Sequence, residues 1–203
     1  MDYDREHLTS PNGDVKTLLT FRKAQIIYDL TFYFAHTFLN RTDRTIDQMI
    51  QAARSGKQNI AEGSAAGVTS METAIKLTNV AKASQEELLE DYRSFLRQRN
   101  LPMWDAQSAQ AHTVRQARPE NLTQLRQLMA CLVSDLSDMS DKSDKNAVKQ
   151  EVAANTMICL SNQETFLLAR QISRLAADFE KDGGFTERLY RIRSQKRKQQ
   201  SEK

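Results

Sequence analysis

Only three prolines and six glycines interrupt a chain of 203 residues. Ala, Leu, Gln, Glu, Lys and Arg are abundant, and these side chains lose little freedom in a helix, so the composition favours long helices throughout. A chain of this length buries one principal core or two small ones. Apolar residues recur at three- and four-residue steps, which leads to an all-α expectation. The reading is an up-down four-helix bundle over about 18–184 with an extra inserted helix within about 105–146. A flexible arm over 1–17 precedes it and a basic tail over 185–203 follows.

Ser10-Pro11-Asn12-Gly13 is turn chemistry, and nothing before it has a periodic apolar face. From Leu18 to Leu39 the apolar residues Leu19, Ile26, Ile27, Leu30, Tyr33, Phe34 and Phe38 cover more than half of a helix. Such a helix must be covered on two sides, by neighbours in the bundle or by another subunit. Thr45 and Gln48 have capping-box spacing at the start of the second helix. Its seam is Ile46, Met49, Ile50, Ala53 and Ile60, with Gly56 allowing close backbone approach. Gly63 and Gly67 are expected to end it in a left-handed cap. Ser70 is the expected cap of a third helix that runs to about Arg99 with Met71, Ala74, Thr78, Ala81, Leu88, Tyr92 and Phe95 on one face.

In the insert, Leu122, Leu125, Met129, Leu132 and Leu136 make a heptad seam behind Pro119. Ser134 to Lys145 then repeats Ser-Asp every three residues, and the second half of that run reads as a linker. The last bundle helix is expected from about Asn146 to Lys181, interrupted by the polar run Ser161 to Thr165, whose side chains must meet solvent or polar partners. After Gly183 and Gly184 the tail starts as a basic amphipathic helix that frays. It holds seven basic residues against Glu187 and Glu202, a net +5; the chain carries +3, so the rest is −2.

Phosphate-loop, dinucleotide, nucleophile-elbow and His-Glu-x-x-His signatures are absent from the sequence. His7, His36 and His112 fall in an arm, a hydrophobic helix and a linker, so no cofactor, metal or catalytic group is expected. Cys131 and Cys159 are expected as buried free thiols, and His36 as a partly buried or interface histidine bonded locally. Glu86, Glu87, Glu90 and Asp91 read as a solvated face with Arg93 and Arg97 as partners. No stretch reaches the roughly 18 apolar residues that cross a bilayer, and the N-terminus lacks a signal core. The expectation is a cytoplasmic protein with no membrane partner.

The run Arg54-Ser55, then Asn59-Ile60-Ala61-Glu62-Gly63, followed by Ala81, Ser84, Glu87 and Leu88 on the next helix, resembles a family of small bacterial four-helix-bundle proteins. Founders of that family are encoded in intervening sequences of large-subunit ribosomal RNA genes, and relatives include the accessory variability protein of diversity-generating retroelements. The long final helix and tail also resemble members with a four-helix suffix region. The likeness spans about 18–101, and more loosely 146–184; the insert departs from the family pattern. It implies a homopentameric ring with a positively charged face and channel, and binding to RNA, DNA or a reverse transcriptase.

Two readings of the motif stand side by side. Structurally, Asn59 and Glu62 satisfy partners at the helix-two turn while Arg54 pairs with a carboxylate such as Glu87, forming with Gly63 and Ser84 a network that fixes helix register. Functionally, Arg54 and Lys57 approach phosphates, with Gly56 permitting close contact. The functional expectation is a non-enzymatic homo-oligomer that binds RNA or DNA weakly and without strong sequence preference. Arg54 and Lys57 serve on the bundle, and Arg188, Arg191, Arg193, Lys196, Arg197 and Lys198 serve as a flexible clamp. The alternative is a protein-interaction adaptor whose seam from Leu122 to Leu136 docks a partner helix.

Overall fold

A computed structural model describes residues 15–139 and 144–201. Residues 1–14, most of the expected arm, lie outside it, but Val15–Thr17 form a 3-10 turn against the first two helices. The helices are α1 (Leu19–Phe38), α2 (Thr45–Ala66), α3 (Met71–Gln98), α4 (Ala109–Ala117), α5 (Leu122–Met139), α6 (Lys145–Asp182) and α7 (Phe185–Ser201). Among the described residues there is no strand, so the all-α expectation holds.

Four helices close a circuit of packing: α1 against α2, α2 against α3, α3 against α6 and α6 against α1. Directions follow from the bonds between them. Thr20 and Lys23 of α1 donate to Gln171 at 3.0 Å and Gln163 at 2.7 Å, so α6 runs antiparallel to α1. Ser55 faces Ser84 at 2.9 Å while Gly63 lies against Ala74 and Thr78, so α3 runs antiparallel to α2. The main core holds Ile27, Leu30, Phe34, Met49, Leu88, Tyr92, Met157 and Leu160. Phe34 sits at its centre, edge-on to Tyr92 at 4.9 Å and to Phe95 at 4.7 Å. The Tyr92 hydroxyl donates to Thr31 Oγ1 at 2.9 Å, and Thr31 donates onward to the Ile27 carbonyl at 2.7 Å, so this buried polar pair is satisfied. A second, smaller cluster joins Ala24, Ile60, Ala81 and Leu168.

The insert belongs to the core. Its start is pinned to α6, where Trp104 N donates to Asn155 Oδ1 at 2.8 Å and Asn155 Nδ2 donates to the Pro102 carbonyl at 2.8 Å. Two helices follow where the sequence suggests one; Ser108 caps the extra α4 by accepting from Ala111 N at 3.2 Å. Ala111 and Val114 of α4 and Leu125 and Leu132 of α5 are buried against the same core as α6. The helical part of the Ser-Asp run extends to Met139, residues 140–143 of the expected linker lie outside the described residues, and Asp144 caps α6 through Asn146 N and Ala147 N.

Several local expectations are corrected. Thr45 is the first residue of α2 rather than its cap: Arg44 holds the cap position without a side-chain bond, and Asp43 Oδ1 accepts from Thr45 N at 2.9 Å. Gly67 closes α2 with right-handed backbone, φ −59°, and Gly63 is buried within the helix, so neither serves as a left-handed cap. Space explains Gly63 instead, because a Cβ there would sit 3.3 Å from the Ala74 carbonyl oxygen. Cys159 is buried as expected but Cys131 is exposed, since it lies on the outer side of α5. His36 does bond locally, Nδ1 lying 2.8 Å from the Phe32 carbonyl, yet it too is exposed. Rather than fraying, α7 is helical to Ser201.

Candidate nucleic-acid interface

The motif residues on α2 divide by face. Ser55 faces α3, where its hydroxyl and that of Ser84 share a hydrogen bond, while Asn59 Nδ2 donates within α2 to the Ser55 carbonyl at 2.9 Å and to Ser55 Oγ at 3.2 Å. The Ser55–Ser84 bond favours this register of α2 on α3, because sliding either helix by a turn would break it and take the Ser84 hydroxyl from its partner. Glu62 is exposed and, among the described residues, accepts from Gln58 at 3.3 Å. Gly56 faces inward, with the Gln85 amide packed over its Cα. It therefore serves helix packing and does not open α2 to a phosphate, contrary to the functional reading of that glycine.

Arg54 is exposed, and among the described residues it has no ion pair with Glu87 or any other acid. The expected Arg54–Glu87 pairing is thus absent, and Arg54 is available to a solvent-borne anion. Lys57 is not equally available: its ammonium lies over the Tyr28 ring at 4.3 Å to the centroid, and the side chain is half-buried. A cation on an aromatic face gains about 0.5–1 kcal/mol at such a site, so Lys57 is already engaged in joining α1 to α2.

Farther along α3 the field is negative. Glu86 pairs with Lys82 at 2.6 Å, and Glu90 lies 3.6 Å from both Arg93 and Arg97, but Glu87 and Asp91 add charge without such partners in the described residues. Burial, and then the Glu87 and Glu90 carboxylates, push Asp91 up to about 6. This face repels a phosphate backbone at neutral pH.

The tail cations stand on α7, which makes no extensive contact with any other helix. Arg191, Arg193 and Arg197 are exposed. The side chains of Arg188, Lys196 and Lys198 lie outside what the structure describes, although their backbone is helical. The structure does not join α7 to the Arg54 surface through a shared packed face.

Sequence reasoning missed a buried polar layer. Gln85 of α3 and Ser161 and Glu164 of α6 lie, by position along their helices, between the main core and the smaller cluster. Gln85 and Glu164 are fully buried, and neither amide atom nor either carboxylate oxygen has a hydrogen-bond partner among the described residues. Burial raises the Glu164 carboxyl well above its ordinary range, only partly offset by the Lys23 charge. The sequence did flag this place, as the polar run from Ser161 to Thr165. Asn162 faces solvent and Gln163 meets Lys23, but Ser161 and Glu164 turn inward.

The insert seam also has a definite fate. Leu125 and Leu132 are buried, with Leu122, Leu128, Met129 and Leu136 packed against the same core, so the surface on which a partner helix was expected to dock is covered by α6. No family profile, curated protein or solved structure matches the chain.

Proposed function

We propose that this chain is a non-enzymatic, self-associating helical bundle that binds RNA or DNA through the phosphate backbone, with α7 as the principal contact and Arg54 as a secondary one. The observation that carries the reading is the segregation of charge. Residues 185–203 hold net +5 on a chain of +3, and α7 presents Arg191, Arg193 and Arg197 to solvent. Such a cluster attracts phosphates by releasing their counterions and reads little sequence. Lys57 contributes less than Arg54 because leaving Tyr28 would forfeit its ring contact.

Self-association is supported by apolar area on α1. Phe32 is 50% exposed and Tyr33 41% exposed, side by side, and the Arg126 guanidinium 5.1 Å from the Tyr33 centroid covers them only in part. The antiparallel pairings support an up-down four-helix bundle, in keeping with the family resemblance, and a pentameric ring rests on that resemblance alone.

The test is fluorescence anisotropy of labelled single-stranded RNA, duplex RNA and duplex DNA against the native chain and an Arg191→Gln/Arg193→Gln/Arg197→Gln variant. Loss of at least about tenfold in affinity supports α7 as the contact, in line with several phosphate contacts removed. Equal binding by both proteins, or none by either, overturns the reading.

A further inference from the structure

A cavity of about 480 Å³ opens between α1, α6 and the connection from α4 to α5. Its size lies within the roughly 300–1,000 Å³ of small-molecule pockets. Leu19, Ile26, Phe166 and Leu167 supply apolar walls. Around them converge Arg22, Lys23, Arg115 and Arg118, against the single acid Glu120.

Three of these cations are already engaged. Arg22 lies 3.4 Å from Glu120, Lys23 donates to Gln163 at 2.7 Å, and Arg115 Nη1 donates to the Ala106 carbonyl at 2.6 Å. Arg118 has no such partner among the described residues. Its backbone is left-handed, φ 42°, a conformation strained for any side chain other than glycine. That turn ends α4 and brings Arg118 to the cavity; burial lowers the proton affinity of Lys23, nearby Glu164 opposes this, and the Arg118 charge adds a smaller repulsion. An anion between the two would relieve this repulsion and give Arg118 a counter-charge.

The rim carries an independent sign. Leu19 is 58% exposed and Phe166 is 62% exposed, and both line the mouth of the same cavity. Two large apolar side chains beside a cationic recess match a ligand with an apolar body and one anionic end. An inorganic anion would leave the walls uncovered, and an uncharged apolar molecule would leave Arg118 without a counter-charge. We propose that this cavity binds a small amphipathic carboxylate, its head group against Arg118 and Lys23 and its apolar body over Leu19 and Phe166.

The experiment is isothermal titration calorimetry of the native full chain with decanoate, decan-1-ol and inorganic phosphate, repeated on Arg118→Asn and Phe166→Ser. Asparagine tolerates left-handed backbone and Phe166 is largely exposed, so both variants keep the fold, which a circular dichroism melt verifies. The expected result is saturable binding of one decanoate per chain, weakened at least about tenfold by either substitution, with decanol and phosphate at least about tenfold weaker than decanoate. No saturable decanoate binding, equal affinity for decanol or phosphate, or decanoate affinity unchanged in Arg118→Asn overturns the proposal.

Discussion

Glu164→Gln isolates the energetic consequence of placing a carboxyl in the bundle interior. Glu164 is fully buried, has no hydrogen-bond partner among the described residues, and holds its proton to a pH well above the ordinary carboxylate range because burial outweighs the attraction of Lys23. In the unfolded chain the same group ionises near pH 4.3. Above that pH the native state therefore binds more protons than the unfolded state, and stability falls as pH rises until Glu164 ionises in the folded protein too. The slope for one proton is about 1.4 kcal/mol per pH unit. Glutamine has nearly the shape of the protonated acid and cannot ionise. The two proteins should therefore agree within about 1 kcal/mol below the unfolded carboxylate range. They should then diverge, with the variant the more stable, by up to about 1.4 kcal/mol for each further pH unit. Urea unfolding at fixed protein concentration, at several pH values between about 4 and 8, measures this directly. Parallel profiles would refute the reasoning. A native protein that gains on the variant as pH rises would show instead that Glu164 is ionised and held by Lys23.

Gly56→Ala places a methyl against the buried Gln85 amide, so overpacking of about 1–3 kcal/mol should exceed the roughly 1 kcal/mol that alanine gains over glycine in a helix. In a Gln85→Ala background the same change should become neutral or stabilising, and a double-mutant cycle in urea checks the reversal of sign. Tyr92→Phe should cost about 1 kcal/mol by chemical denaturation, because Thr31 keeps its bond to the Ile27 carbonyl when the tyrosine donor is lost. Under native conditions a thiol reagent should modify Cys131 promptly and Cys159 only after denaturant is added; rapid reaction of both would contradict the burial of Cys159.

The features read correctly from sequence are those that one helix displays alone. Apolar spacing placed α1, α3 and α6 within a residue or two of their limits, and Ser70 caps α3 by accepting from Thr73 N at 3.2 Å. What escaped depends on a second element. Gly63 looks like a helix stop, yet it is small because α3 crosses there. Asp43, which precedes Thr45 by two residues, takes the capping role that Thr45 appeared to fit. Cys131 lies in an apolar stretch, but α5 buries Leu125 and Leu132 and turns the cysteine outward. Gln85 and Glu164 sit among charged and polar neighbours that do face water, so nothing local separates them from a solvated face. The Arg118 cavity draws on α1, α4, the connection and α6, and no single stretch of sequence carries its pattern.

The most direct test of the phosphate-backbone account is the salt dependence of single-stranded RNA affinity for the full chain and for a chain ending at Gly184. Each phosphate neutralised contributes about −0.7 to the slope of log affinity against log salt. Removal of the residues after Gly184 should make the slope shallower by at least about two units, equivalent to roughly three phosphate contacts. The same slope in both proteins would contradict the assignment of phosphate binding to α7.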